Sequence, residues 1–214
     1  MVSPDQPIVT GHDEDGDAII DGADNCPTVA NTNQATAGEL VGQACDPRMN
    51  GDGDRIGALF LFAEPGRPME LMGGQQFDLD HAMTTGGEIS TLGSFTPTRV
   101  SIVVSNTNLA VGSSSIQLRI KTYQCQIGPC SGSGTYCLRA EGDNMTSETD
   151  VSLAATYRFD LDQIDDKITC RVRTGIVETT TSANAASNET DRVRVRANSV
   201  ALTIDSFVVY DTPP

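Results

Sequence analysis

From residue 58 onward, apolar and polar positions follow the period of a β-strand. In residues 115–122, Ile116, Leu118 and Ile120 alternate with polar neighbours and share one face. Residues 99–105 are rich in β-branched side chains. Residues 151–161 form a longer run that alternates in its second half, and residues 167–173, 192–196 and 200–210 continue the theme. Turn-rich stretches at 106–115, 128–134 and 182–188 separate these runs. No amphipathic helical period emerges. Strands with one buried and one wet face predict a mainly β body, an antiparallel sandwich over residues 58–214.

The first 57 residues are written differently. They hold 11 acids and two bases, Arg48 and Arg55, for a net charge of −9. Residues 58–214 hold 18 acids and 12 bases, for a net charge of −6. Large apolar residues are few and scattered in the early stretch, so burial cannot offset its ordering entropy. The expected division is a disordered leader at 1–10, a segment at 11–57 folded by something other than a core, and the sandwich at 58–214. The whole-chain charge of −15 excludes nucleic acid as a partner, because the phosphate backbone requires a basic surface. It favours cations. No apolar run reaches the roughly 18–20 residues that span a bilayer.

The acids of the early stretch are spaced, not merely dense. Against the twelve-residue calcium loop, positions 1, 3 and 5 are Asp13, Asp15 and Asp17. Ile19 stands at position 7, which donates a backbone carbonyl, Asp21 at position 9 and Asp24 at position 12. Calcium takes six to eight oxygens at about 2.3–2.6 Å, which such a loop can supply. Two departures weaken an ordinary EF-hand. Ala18 occupies the position reserved for Gly at the sharp turn, and position 12 is Asp instead of Glu. A second, shorter acidic run, Asn50, Asp52 and Asp54, is a further candidate. It is followed by Arg55 and Ile56 in place of later ligands.

Residues 21–34 run Asp-Gly-Ala-Asp-Asn-Cys-Pro and then place Asn31 and Gln34, before Gly42, Cys45 and Asp46. This stretch resembles the thrombospondin type 3 repeat, DxDxDGxxDxxDNCPxxxNxxQ closed by GDxCD. The resemblance implies an irregular segment wrapped on calcium ions and a Cys26–Cys45 disulfide. Departures include Ala35–Val41, which carries a single acid where the family has a second acidic run, and Gln43 in place of the closing Asp.

Six cysteines and no CxxC pair point to disulfides and not to zinc. Oxidised cysteines in turn imply an exported or cell-surface protein. No export signal stands at the start of the chain. For the four cysteines of the body, three pairings are open. The preferred one joins Cys125 to Cys130 and Cys137 to Cys170. The end of the chain, residues 199–211, resembles the closing strand of concanavalin A-like and laminin G-like jelly rolls, which implies a jelly-roll sandwich. No catalytic constellation stands out. Residues 160–165 carry Asp160, Asp162 and Asp165 at a glycosidase-like spacing but read as a strand entering a hairpin. Glu141 and Asp143 lack a third carboxylate. His12 and His81 are the only histidines, and no nucleophile elbow accompanies them. Tyr136 is the best candidate for stacking on a sugar, with packing beside Cys137 as the plainer reading. The expected function is therefore a calcium-binding, non-enzymatic exported protein, its acidic repeat a rigid spacer or clasp and its sandwich an adhesive or binding body. Its partners would be calcium and a glycan or surface protein. The alternative is a lectin-like or glycosidase-like jelly roll.

Overall fold

The structure is a computed structural model. It describes residues 13–36, 40–48, 53–60, 69–72, 75–77, 82–84, 86–91, 93–109, 114–130, 135–143, 146–185 and 191–212, with backbone alone at 69–72, 75–77, 82–84 and 106–108. Among these residues all regular secondary structure is β. The strands are β1 (Arg55–Phe60), β2 (Met69–Met72), β3 (Gln75–Phe77), β4 (Ala82–Thr84), β5 (Gly87–Thr91), β6 (Pro97–Asn108), β7 (Ser115–Ile120) and β8 (Tyr123–Pro129). They continue with β9 (Tyr136–Glu141), β10 (Thr146–Val151), β11 (Thr156–Ile164), β12 (Lys167–Thr174), β13 (Val177–Asn184), β14 (Val193–Asn198) and β15 (Ala201–Asp211).

They form two antiparallel sheets. The eight-stranded sheet runs β13-β12-β11-β6-β15-β4-β3, with β1 also pairing β15. The seven-stranded sheet runs β10-β9-β8-β7-β14-β5-β2. The expected mainly β sandwich is observed, and its cause is the alternation. Ile116, Leu118 and Ile120 of β7 meet Val100, Ile102 and Val104 of β6 in one core, joined by Phe159, Leu161, Ile168, Phe207 and Val209. Each such side chain, once buried, contributes about 1.5–3 kcal/mol. The run at 151–161 proves to be two strands. β10 ends at Val151, exposed Ser152, Ala154 and Ala155 form the link, and β11 starts at Thr156.

Cys26 pairs with Cys45, as the thrombospondin-type resemblance implied, with both sulfurs buried. The other preferred pairings are overturned: Cys125 joins Cys170 and Cys130 joins Cys137. The pleat gives the reason. Cys125 and Cys170 both point inward on strands of opposite sheets, so their bridge crosses the core. Cys130 lies just past the end of β8 and Cys137 on β9, the strand hydrogen-bonded to it, so theirs closes a hairpin.

The acidic segment is not a spacer held away from the body. Cys26, Val29, Val41 and Cys45 pack on Ile56 and Leu59 of β1 and on Val208 and Tyr210 of β15, on the outer face of the eight-stranded sheet. The segment lacks a core of its own and borrows one from the sheet.

Candidate functional site

Two places on the molecule gather chemistry. The first is the acidic loop. Asp13, Asp15 and Asp17 bring one carboxylate oxygen each within 4.8 Å of the others. The loop curls because these side chains accept hydrogen bonds from their own backbone. Gly16 N and Ala18 N donate to Asp13, Asp17 N to Asp15, and Ile19 N to Asp17. Ala18 takes the left-handed conformation that glycine usually supplies at this position (φ 73°). Asp21 accepts from Glu14 N and thereby ties the loop's ends together.

The motif residues beyond the loop hold it in place. Gln34 Nε2 donates to Asp24 Oδ1, and Asn25 N donates to Gln34 Oε1. Asn31 N donates to Asp17 Oδ2, and Asn31 Nδ2 to Asn25 Oδ1. After this network is complete, Asp15 Oδ2 and Asp24 Oδ2 are buried without a hydrogen-bond partner. Burial, together with the charges of Asp24, Asp17 and Asp13, raises the Asp15 carboxyl to about 6 against a hydrogen bond from Asp17 N. Asp24 is also raised, chiefly by burial. Orphaned carboxylate oxygens beside converging carboxylates fit a cation with oxygen ligands.

Of the second acidic run, Asn50 and Asp52 lie outside the described residues, as do His12, His81 and the leader at 1–10. Asp54 is described, and its carboxylate is engaged by Arg48 at 2.5 Å and by Thr98 Oγ1 at 3.2 Å.

Beneath the acidic segment the eight-stranded sheet carries a buried ionic cluster. Arg99 spans Asp162 with two hydrogen bonds, of 2.6 and 3.1 Å, and its Nη1 donates to the Cys45 carbonyl at 2.8 Å. Arg158 and Ser101 both donate to Asp160. Burial would raise Asp160, but the charges of Arg158 and Arg99 prevail and hold it below the ordinary carboxylate range. Asp165 and Asp166 form the two-residue hairpin turn, both with positive φ, as the strand-and-hairpin reading of 160–165 expects. Tyr136 is likewise structural: it packs against the core, and its hydroxyl donates to the Leu109 carbonyl.

The second place is the outer face of the seven-stranded sheet. Inward residues of these strands alternate with polar ones that line up across them. One row runs Glu148, Arg139, Gln126, Gln117, Arg196 and Glu88 from β10 to β5. The next runs Thr146, Glu141, Gln124, Arg119, Arg194 and Ser90. Gln124 Nε2 donates to Glu141 Oε2 at 2.6 Å, Gln117 Nε2 to Gln126 Oε1 at 3.2 Å, and Arg139 Nε to Glu148 Oε2 at 2.6 Å. Gln117 Oε1 and Arg119 Nε are buried without a partner. These residues were missed as a site by sequence reasoning. The signal was present, because they are the outward positions of the alternating strands.

No family model matches the chain, and no curated protein matches it. Solved structures do match its fold. A serine mutant of SCLam, a non-specific endo-β-1,3(4)-glucanase of family GH16 co-crystallised with a glucan oligosaccharide, shares 8% identity at a TM-score of 0.57, covering 74% of this chain and 95% of that one. The Bacillus licheniformis β-glucanase shares 9% at 0.54, covering 73% and 98%. Crh5 transglycosylase in complex with NAG shares 14% at 0.54, covering 73% and 84%. The body is thus similar to jelly-roll glycosidases, in line with the concanavalin A-like expectation. This likeness to glycoside-cleaving and glycoside-transferring enzymes overturns the expectation of a non-enzymatic calcium-binding adhesive protein and favours the glycosidase-like alternative.

Proposed function

We propose that this protein is a carbohydrate-active jelly roll that takes a polysaccharide across the outer face of its seven-stranded sheet and acts on its glycosidic bonds. The observation that carries this reading is the double row of amide, guanidinium and carboxylate side chains aligned across the strands of that sheet. Such planar groups hold adjacent sugar hydroxyls by paired hydrogen bonds. Six strands at a spacing of about 4.8 Å make each row roughly 24 Å long, enough for a chain of sugars instead of one. The opposite sheet is unsuited, because the acidic segment lies on it. Glycoside hydrolysis uses two carboxylates. Glu141 and Glu148 sit on adjacent strands in diagonal register, roughly 7–8 Å apart at Cα.

The test is affinity electrophoresis and reducing-end release with a panel of polysaccharides: a neutral β-glucan, N-acetylglucosamine oligomers and a uronic polymer. At least one should be retarded and shortened, and Glu141→Gln should retain the retardation and lose the shortening. Absence of both retardation and shortening across the panel overturns the reading. Unimpaired cleavage by Glu141→Gln removes that residue from it.

The acidic loop has a separate place in this proposal. We assign it calcium, in the manner of a thrombospondin type 3 repeat, with Asp13, Asp15, Asp17, Asp21, Asp24 and the carbonyl of Ile19 as ligands. The oxygen-only donor set and the two orphaned carboxylate oxygens support calcium over softer metals. When bound, the ion supplies charge compensation and not reaction chemistry. The acidic segment that precedes β1 then forms a metal-held clasp on the sandwich. Three disulfides support work outside the reducing cytosol.

A further inference from the structure

Among the described arginines, most have an acid. Arg48 pairs Asp54, Arg55 pairs Asp211, Arg99 pairs Asp162 and Arg158 pairs Asp160. The same holds for Arg139, Arg171, Arg173 and Arg194. Two on the outer face of the seven-stranded sheet do not: among the described residues neither Arg119 nor Arg196, which stands opposite Glu88, forms an ion pair. In a chain with 29 acids and 14 bases, an unpaired guanidinium is against the odds. Arg119 is also half-buried, and its Nε is enclosed without a partner. It stands directly opposite Arg194 on β14, and like charges in that position cost stability. Gln117, opposite Arg196, adds a buried carbonyl oxygen without a partner. The middle of the face is therefore positive and under-satisfied: Glu141 lies two strands from Arg119, Glu148 on the far strand, and Glu88, opposite Arg196, is paired with Arg194 at 3.6 Å.

We propose that the polysaccharide is itself an anion, carrying a carboxylate or sulfate on its sugars, and that Arg119 with Arg196 selects it by charge-assisted hydrogen bonds to that group. The inference rests on the sheet face being the glycan site. A guanidinium matches carboxylate and sulfate geometry with two parallel bonds and is more weakly hydrated than an ammonium, so it gives up less on contact. The surrounding charge of −15 repels a polyanion at long range. Local pairing must therefore provide the recognition, and moderate salt that screens the long-range repulsion should leave binding largely intact.

The experiment is affinity electrophoresis and calorimetry with polygalacturonate, dextran sulfate and laminarin, at fixed ionic strength, for the full chain and for Arg119→Gln and Arg196→Gln. Binding to at least one of the two charged polymers should exceed binding to laminarin by tenfold or more. Which of the two is held separates a uronic from a sulfated ligand. Arg119→Gln should reduce that ratio to near one by weakening charged-polymer binding more than laminarin binding, with the melting temperature within error or slightly higher. Laminarin bound as tightly as both charged polymers overturns the inference and leaves the glycan reading standing. Charged-polymer binding unchanged in both variants overturns it as well. No binding of any of the three polymers overturns the inference and the glycan reading together.

Discussion

Asp160 is enclosed completely, and its charge is held by Arg158, Arg99 and Ser101. A carboxylate depressed in the folded state adds stability that is complete above its unfolded value of about 3.9. That stability is lost as pH falls through the lower folded value. Acid unfolding should therefore draw on this residue below pH 4. Asp160→Asn leaves Arg158 buried without its partner, and breaking such a pair costs about 3–5 kcal/mol at neutral pH. Urea denaturation at pH 7 should show that loss, and the variant's stability should vary less with pH below 4. A change under 1 kcal/mol would mean that the cluster tolerates the missing charge. Gly42 is a second such position. A Cβ there would lie 2.2 Å from Asn25 Oδ1 and 2.7 Å from both Asn31 Nδ2 and Cys26 Sγ. Gly42→Ala should thus loosen the acidic segment alone: calcium uptake measured by calorimetry falls and protease cuts within 13–48, while the sandwich melts as before.

Among the elements, the disulfides rank by the loops they close. The Cys125–Cys170 bridge spans 45 residues and Cys130–Cys137 spans 7. In the chain-entropy model these are worth about 4 and about 2.4 kcal/mol. Removing each pair by double alanine substitution should reproduce that order in denaturant midpoints. Equal losses would assign the stabilisation to local strain or packing instead. These bridges also mark what was legible. Alternation along Ile116–Ile120 and at Phe159 and Leu161 was enough to read strands and their inward faces. It could not say which sheet each strand joins, and that decides whether Cys125 meets Cys130 or Cys170. The convergence of Asp13, Asp15 and Asp17 was legible because these residues alternate within a single short loop. The rows through Gln117 and Arg196 and through Arg119 and Arg194 were not, because strands 75 residues apart in sequence (Arg119 to Arg194) must pair before they exist.

At the scale of the molecule, the two candidate sites lie on opposite sheets. The acidic segment is anchored to the outer face of the eight-stranded sheet through Arg99 and Tyr210, and the Gln and Arg rows lie on the outer face of the other. The core between them is closely packed and bridged by Cys125–Cys170. Coupling between two ligands requires an element that both of them bias, and the described residues give them none in common. Calcium should stabilise the clasp by mass action, so a chelator should lower the unfolding temperature or open residues 13–48 to protease. It should leave polysaccharide affinity within about twofold. The converse follows from reciprocity: saturating polysaccharide should not shift the calcium affinity. If chelation instead weakens polysaccharide binding tenfold, the coupling is about 1.4 kcal/mol. The sheets would then move as one two-state unit, and the clasp would be a regulator of the glycan face instead of a brace on the far side of the sandwich.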